Sequence, residues 1–245
     1  MWRTNSENQE IVYKLILIRE IIKTNDGSTT IHLPEWNESY HSKHGAIQEA
    51  YHVFIKNGLC FANSQKLGSL FKVKSIAILE IGFGTGLNTF ITFLEAKKTN
   101  QTIDYVGVEA YPIEMEEAME MNYPNEIDVS ETTVFKKMHE FNWDLKNQLS
   151  DNFTLTKRKQ FFQDIKDEAS FDLIYFDAFG FRVQPELWSD TIFVAMFKAL
   201  KPNGILVTYA CRTSIKKAML SAGFSVEKLP GAPGKREMLR ATKAF

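Results

Sequence analysis

Three features of the sequence predict an α/β fold: short apolar runs that alternate with helical patterns, a glycine-rich turn after the first run, and acidic residues where the runs end. The alternation extends from residue 75 to residue 210 and predicts a mostly parallel, Rossmann-like sheet. Two strand-like segments then flank a Pro/Gly loop, which predicts a terminal antiparallel hairpin. Two strand-like segments around a turn signal also occur before residue 75, and they predict an N-terminal β-hairpin extension.

The N-terminal segment has the pattern of a hairpin followed by a helix. Strands are predicted over residues 12–19 and 28–33, because the turn signal Thr24-Asn25-Asp26-Gly27 separates two β-prone runs. Apolar residues at helical spacing predict a helix over residues 40–54, and Asn57-Gly58 is the expected stop.

The main part of the chain alternates strands with helices. The predicted strands cover residues 76–80, 103–109, 152–157, 173–178 and 205–210. The predicted helices cover residues 86–98, 113–121, 131–149, 186–200 and 214–221. Lys201-Pro202-Asn203-Gly204 is expected to stop one helix and Gly223 the last one. The terminal hairpin is predicted from residues 224–228 and 237–243.

Residues 80–88, Glu-Ile-Gly-Phe-Gly-Thr-Gly-Leu-Asn, form the most informative motif. Gly82, Gly84 and Gly86 let the backbone turn tightly after a strand and approach a ligand closely. A dinucleotide site has the spacing G-x-G-x-x-G, whereas here the glycines alternate and Glu80 precedes them. Because a carboxylate repels phosphate and attracts cations, the motif favours S-adenosylmethionine over NAD. Asn88 closes the motif and is a further candidate for cofactor binding.

Three more acidic residues follow at or near strand ends. Glu109 lies about twenty residues after the glycine motif, where an acidic residue accepts ribose hydroxyls. Asp164 is a candidate for the adenine amino group. Asp177 precedes Phe179, on which a planar substrate can stack, and is the catalytic candidate. One such residue alone is typical of a helix cap or a solvated charge, but four in order after a glycine motif favour a ligand site.

Two basic clusters are candidates for phosphate contacts. One is Lys235-Arg236 in a Pro/Gly loop, and the other is Lys157-Arg158-Lys159. Clusters of this kind are also typical of an ordinary solvated surface.

Composition excludes several classes of protein. The 29 Lys and Arg nearly balance the 30 Asp and Glu of the 245 residues, so no global field attracts nucleic acid. Cys60 and Cys211 lack metal-ligand spacing, which predicts reduced core residues, no metal site and a cytoplasmic protein. No apolar run reaches about eighteen residues, so neither a signal peptide nor a membrane span is expected. The length fits an extension over residues 1–60 and a main domain over residues 61–245.

The chain resembles the bacterial tRNA 5-methylaminomethyl-2-thiouridine methyltransferase family. Four blocks carry the resemblance: residues 40–49 with Val53-Phe54, residues 80–88, Asp177-Ala178-Phe179 followed by Pro185-Glu186-Leu187-Trp188, and residues 234–239. It implies that residues 61–245 form a methyltransferase domain that acts on tRNA. The implied reaction moves a methyl group from S-adenosylmethionine to the primary amine of 5-aminomethyl-uridine, giving the methylaminomethyl form.

The resemblance also suggests roles for individual residues. Asp177 is expected to orient the amine, with water as the final proton acceptor, and Phe179 to contact the base. Tyr40, Lys43 and Glu49 belong to a segment expected to close over the cofactor and substrate. Lys235 and Arg236 are expected to hold phosphates near the anticodon. Some relatives are fused to a flavin oxidoreductase, but no second dinucleotide glycine motif follows residue 90, so no flavin domain is expected in this chain.

Other functions stay open on the sequence alone. An aminopropyltransferase of the polyamine synthase kind, or another small-amine methyltransferase, uses a similar sheet and an attacking amine. The former favours extra carboxylates around the site, and residues 178–184 contain none. A non-catalytic module that binds tRNA or a nucleotide has no need of all four acidic residues. Fold alone does not separate these functions.

Overall fold

The computed structural model describes residues 18–66 and 75–244, except for the side chains of residues 65 and 66. Its strands are β1 (Glu20–Lys23), β2 (Thr29–Leu33), β3 (Glu38–Ser39), β4 (Ser75–Ile81), β5 (Thr102–Glu109), β6 (Lys146–Ser150), β7 (Phe153–Lys159), β8 (Phe171–Phe176), β9 (Leu200–Thr208), β10 (Ser225–Pro230) and β11 (Glu237–Thr242). Its α-helices are α1 (Ala46–Ala50), α2 (Phe61–Lys66), α3 (Leu87–Thr99), α4 (Met115–Met119), α5 (Tyr123–Ile127), α6 (Thr132–Glu140), α7 (Asp190–Ala199) and α8 (Thr213–Ser221).

Eight strands form the central sheet, in the order β10-β11-β9-β8-β4-β5-β7-β6. The five inner strands from β9 to β7 are parallel, while β6 and β11 pair with their neighbours in the antiparallel sense. The inner strands are apolar because helices cover both faces; Ile76, Ile78 and Ile81 of β4 are fully buried. The chain order reverses on either side of β4, which opens a crevice at the carboxyl ends of the strands. The predicted α/β, Rossmann-like fold with a terminal antiparallel hairpin is confirmed.

The N-terminal extension contains a separate three-stranded sheet in the order β1-β2-β3. The predicted turn at residues 24–27 connects β1 to β2, and the backbone N–H of Gly27 donates to Thr24 O at 3.1 Å. The first strand covers Glu20–Lys23 and not residues 12–19, of which residues 12–17 lie outside the described residues. The short strand β3 was not predicted, since two residues carry no periodic signal.

Asp26 fixes the start of the helix that follows this sheet. Its Oδ2 accepts a hydrogen bond from the backbone N–H of Gln48, in the first turn of α1, at 3.0 Å. Because this cap comes from another element, the helix begins at Ala46, and the predicted start near residue 40 is wrong. Residues 40–45 form an irregular segment instead.

The helix does not stop at Asn57-Gly58 as predicted. It continues from α1 as a π-helix over Tyr51–Cys60 and then as α2. Gly58 lies against the sheet, where an added Cβ would be 3.1 Å from Tyr175 Cε1 and 3.1 Å from Val207 Cγ2. The glycine therefore allows close helix–sheet packing. The domain division expected at residue 60 falls inside this continuous helix and stays a prediction.

The predicted helix over residues 131–149 is too long. The α6 helix ends at Glu140, and β6 follows as an edge strand paired with β7. Asp144, at φ 62°, makes the turn between them.

Another helix, α7, ends at Ala199, close to the predicted end. Lys201–Gly204 do not form a separate stop but belong to the first part of β9, where the pairing register with β8 shifts.

The structure bears on two expectations from composition, that the cysteines are reduced core residues and that no membrane span occurs. Both cysteines are free, but Cys60 is exposed and is not a core residue. Among residues 18–66 and 75–244, no helix has the length and apolar character required to cross a bilayer.

Substituting Gly58 with Val should destabilise the protein by about 2 kcal/mol, because two methyl groups are forced against Tyr175 and Val207. Cys60→Val is the matched control, since it adds the same β-branched residue to the same helix at an exposed position. Thermal unfolding of both variants measures the difference. Equal Tm values would show that Gly58 has no packing role.

Candidate active site

A cavity of about 280 Å³ lies at the carboxyl ends of the central strands and beneath the N-terminal segment. Its wall combines parts of the glycine motif, the ends of β5 and β8, and two N-terminal segments. The lining residues that matter below are Arg19, Trp36, Tyr40, His41, Gly82, Gly84, Asn88, Glu109, Tyr111, Phe161, Gln163, Asp177, Phe179, Glu186 and Tyr209. Three of the four blocks on which the sequence resemblance rests thus meet around one cavity, and residues 234–239 are not among the residues that line it.

The glycine motif forms a tight turn between β4 and α3. Gly82, Gly84 and Gly86 have φ values of 88°, 50° and 74°, which L side chains rarely adopt. Space is also restricted, because an added Cβ at Gly82 would be 2.5 Å from the carbonyl oxygen of Asp177. At Gly84 it would be 3.2 Å from Tyr40 Cδ1. Glycine is therefore required both by conformation and by the close approach of the cavity walls.

One amide connects two acidic side chains at the base of the cavity. Asn88 Nδ2 donates to Glu80 Oε1 at 3.0 Å and to Asp177 Oδ2 at 2.8 Å. The hydroxyl of Thr89 donates to the other oxygen of Glu80 at 3.0 Å. Glu80 is completely buried and does not line the cavity. Its side chain thus acts on the site through Asn88.

Both acidic groups have raised pKa values. Burial raises the pKa of Glu80 to about 8, and the nearby Asp177 carboxyl acts in the same direction. Burial also raises the pKa of Asp177 to about 7, together with the charge of Glu49, against the opposing effects of the Asn88 hydrogen bond and Lys235. Asp177 therefore titrates near neutral pH.

Glu109 lies across the glycine motif from Asp177. Its two oxygens accept backbone hydrogen bonds from Gly84 N at 3.1 Å and Tyr111 N at 3.0 Å, and the side chain lines the cavity.

Asp164 ends a 3₁₀ turn over Phe162–Asp164 and is exposed. Gln163 lines the cavity, and the side chain of Asp164 does not.

Aromatic rings form the wall beside Asp177. The ring of Phe179 makes edge contacts with Tyr40, at a centroid distance of 4.9 Å, and with Trp36, at 5.7 Å. Trp188 Nε1 donates to Phe179 O at 2.8 Å, and the Tyr209 hydroxyl donates to Ala178 O at 2.8 Å. These bonds fix the backbone that follows Asp177, and the rings offer an apolar surface for a planar group.

The predicted substrate residues Glu49 and Lys235 form an ion pair close to this wall. Glu49 is buried and also accepts from the backbone N–H of Ser42 at 3.0 Å. The ammonium of Lys235 lies 3.8 Å from the ring centroid of Tyr209. The Lys235 side chain is partly exposed, and its charge is paired with that of Glu49. Its expected contact with phosphate stays a prediction.

Lys43 and Arg236 are both exposed, on two loops that contact each other. Gly234 packs so tightly against His44 that an added Cβ would be 2.2 Å from His44 Cδ2. The segments over residues 40–49 and 234–239, far apart in the sequence, thus form one surface beside the site.

The other basic cluster is mainly structural. Lys157 is buried, donates to His139 O at 2.7 Å and lies 4.9 Å from the ring centroid of Trp143. Arg158 pairs with Asp167 at 2.7 Å. Lys157 is not available to phosphate, because the period of the strand turns its side chain into the core. Arg158 is partly exposed, and its charge is paired with that of Asp167.

Sequence reasoning missed several cavity residues, among them Arg19, His41 and Tyr209. Burial lowers the pKa of His41 to about 4, so this histidine is neutral, and its Nδ1 lies 3.0 Å from the hydroxyl of Thr30. Arg19 is a single arginine before a short strand, and Tyr209 is an ordinary residue at a strand end. No motif marks Arg19 or Tyr209, whereas His41 lies within the resemblance block over residues 40–49 but was not singled out. The packing of the N-terminal segment on the sheet brings Arg19 and His41 to the site.

The donor set fits S-adenosylmethionine. Gly82 and Gly84 leave room that side chains would fill, and Glu109 offers carboxylate oxygens for ribose hydroxyls. Asn88 Oδ1 is buried with no hydrogen-bond partner among the described residues, which suits the ammonium of the cofactor's amino-acid part. Within the described part of the chain, no group of His, Cys, Asp and Glu has a metal-binding arrangement.

Asp177→Asn should raise stability at high pH. Asp177 keeps its proton up to about pH 7 in the folded protein and loses it near pH 4 when unfolded, so its burial lowers stability as pH rises between these values. A shift of about three pKa units, at about 1.4 kcal/mol per unit, predicts that the variant gains about 4 kcal/mol over the wild type at pH 8, or about 8–16 °C in Tm, and little at pH 4. The control is Asp151→Asn, at an exposed turn. An equal gain at both pH values would contradict the raised pKa.

Comparison with known proteins agrees with this site. A family model described as S-adenosyl-L-methionine-dependent methyltransferase matches residues 118–244. The tRNA 5-methylaminomethyl-2-thiouridine biosynthesis bifunctional protein MnmC of Campylobacter fetus is 34% identical over 178 residues, which cover 69% of this chain and 29% of that protein. The same-named protein of Cupriavidus metallidurans is 26% identical, over 89% of this chain and 33% of its own length. The chain thus spans about a third of the length of these relatives.

Solved structures share the fold. MnmC2 from Aquifex aeolicus superposes with a TM-score of 0.69 at 22% identity, covering 100% of this chain and 80% of that one. Spermidine synthase from Thermotoga maritima superposes with a TM-score of 0.54 at 13% identity, covering 94% and 70%. With the glycine turn, the cavity and the family model in agreement, we conclude that the chain belongs to the S-adenosyl-L-methionine-dependent methyltransferase family.

Proposed function

We propose that this methyltransferase acts on tRNA and methylates the primary amine of 5-aminomethyl-uridine, with or without 2-thiolation, to give the 5-methylaminomethyl form. The observation that carries the proposal is Asp177, a carboxylate with a raised pKa next to an aromatic wall, in the same cavity as the glycine motif. The names of the MnmC relatives support the choice of tRNA and of this nucleoside. The cytoplasm is the compartment that such a substrate implies.

The cofactor supplies a methyl group made electrophilic by its sulfonium. In our proposal the backbone at Gly82 and Gly84, with Asn88 and Glu109, holds it at the base of the cavity. Asp164 lies on the adjacent turn and reaches the adenine side only if that turn moves inward. Phe179 and Tyr40 stack the uracil ring, so that the aminomethyl group points toward Asp177.

Asp177 accepts a hydrogen bond from the amine and turns the nitrogen lone pair toward the methyl group. An alkyl ammonium titrates near 10.4, so proton transfer to an ordinary aspartate near 3.9 is uphill by about 9 kcal/mol. With a pKa of about 7 the gap to Asp177 falls to about 5 kcal/mol. Asp177 is thus a better temporary acceptor than its residue type suggests, and water remains the final one.

Glu49 and Lys235 set the charge near the amine. Glu49 contributes a second carboxylate close to Asp177, which the linear sequence did not reveal, but Lys235 compensates it. Of the two neighbouring carboxylates Glu49 and Asp177, only Asp177 is then without a paired lysine, which suits a single amine at this position. A polyamine has several amines and requires several free carboxylates, so the Glu49–Lys235 ion pair argues against the aminopropyltransferase alternative. The fold shared with spermidine synthase does not separate the two functions.

Labelled S-adenosylmethionine and tRNA from cells that lack this methylation test the proposal directly. After digestion to nucleosides, we expect the label on 5-methylaminomethyl-uridine or its 2-thio form. Label on free putrescine or spermidine instead would support a small-amine substrate. Cofactor binding without any transfer to tRNA or amines would support a non-catalytic module and contradict the proposal.

Asp177→Asn should lower kcat by about 100-fold and leave the affinity for S-adenosylhomocysteine, which has no sulfonium, nearly unchanged, because orientation of the amine is lost while the glycine turn stays. In the wild type, kcat/KM should fall more steeply below pH 7 than above it, by about a further tenfold per pH unit, because protonation of Asp177 adds to that of the amine. The variant should lack this change of slope near pH 7. Unchanged turnover in the variant would exclude the role of Asp177.

Arg236→Ala should raise KM for tRNA several-fold and leave kcat unchanged, since an exposed cation beside the cavity loses a phosphate contact. The matched control is Lys98→Ala, an exposed cation at the far end of α3 from the glycine motif. The slope of log KM against log salt should decrease by about one for Arg236→Ala only. Equal slopes for both variants would place the tRNA elsewhere.

A further inference from the structure

The charges of the cavity are strongly unequal. Three carboxylates line it, those of Glu109, Asp177 and Glu186, and one guanidinium, that of Arg19. The lining histidine, His41, is neutral because burial lowers its pKa to about 4. Among the described residues that line the cavity, Arg19 alone therefore carries a fixed positive charge.

Arg19 is held in place beside the glycine motif. Its Nη1 donates to Glu117 Oε2 at 2.7 Å, and about a fifth of its side chain is exposed (22%). Tyr40 is near enough for the charge of Arg19 to act on its hydroxyl, and the ring of Tyr40 packs against Gly84. A guanidinium has five N–H donors, and the hydrogen bonds to Glu117 and Tyr40 leave donors for a ligand, with Glu109 as a nearby opposite charge.

S-adenosylmethionine carries one anionic group, the carboxylate of its amino-acid part. The three acidic residues of the cavity repel that group, whereas a guanidinium matches its planar geometry. We propose that Arg19 binds this carboxylate and so selects S-adenosylmethionine over its decarboxylated form, the donor in aminopropyl transfer. Arg19 is then a residue that determines which group the enzyme can transfer, whatever the methyl acceptor is.

The test compares two ligands that differ at the proposed contact. S-adenosylhomocysteine has the amino-acid carboxylate, and 5′-methylthioadenosine lacks the whole amino-acid part but keeps adenosine. Titration calorimetry of Arg19→Gln should show binding of S-adenosylhomocysteine weakened by about 10- to 100-fold, the usual value of a charge-assisted hydrogen bond. Binding of 5′-methylthioadenosine should change less than about twofold.

Glu117→Gln is the matched control, because it breaks the same ion pair and keeps the guanidinium. It should retain the affinity for S-adenosylhomocysteine within about threefold. A purely structural role of Arg19, as an anchor of the N-terminal segment, predicts equal losses for both ligands and similar losses in both variants. That result, or an unchanged affinity of Arg19→Gln for S-adenosylhomocysteine, would overturn the proposal.

Discussion

The hydrogen bonds of Asn88 to two buried acidic groups are the interaction on which the site depends. Its amide nitrogen joins Glu80, at the end of β4, to Asp177, just after β8. Burial keeps the pKa values of both carboxyl groups high, with a further contribution from Asp177 to the pKa of Glu80 and from Glu49 to the pKa of Asp177. The same amide places an acceptor of moderate basicity at the cavity floor. Ionisation of this buried carboxyl lowers the free energy of unfolding at neutral pH. The same raised pKa makes Asp177 a better hydrogen-bond and proton acceptor for an amine.

Close packing around the glycine turn connects this network to the rest of the fold. Gly82 allows the backbone of Asp177 to approach, and Gly84 allows the ring of Tyr40 to cover the turn. Tyr40 belongs to a segment positioned by the cap that Asp26 provides to α1. The N-terminal sheet, the central sheet and the cavity are thus joined by contacts that tolerate little added volume.

Much of the fold and part of the site were predictable from sequence. The period of apolar residues gave the inner strands, and the glycine motif gave the cofactor class, because backbone conformation restricts residue type strongly there. Features that depend on tertiary contacts were not predictable. Gly58 looked like a helix stop but serves packing, Lys235 looked like a surface cation but pairs with Glu49, and Arg19 carries no local signal. An isolated charge reveals its role only when its partners are known.

Calorimetry of ligand binding at pH 7, in buffers of different ionisation enthalpy, tests the central role of the paired carboxylates most directly. A cationic sulfonium next to Asp177 lowers the pKa of that group, so S-adenosylmethionine should release about half a proton on binding. S-adenosylhomocysteine, which has no sulfonium, should release clearly less. Equal proton release by both ligands, or none by either, would contradict an Asp177 carboxyl that titrates near neutral pH beside the reacting methyl group.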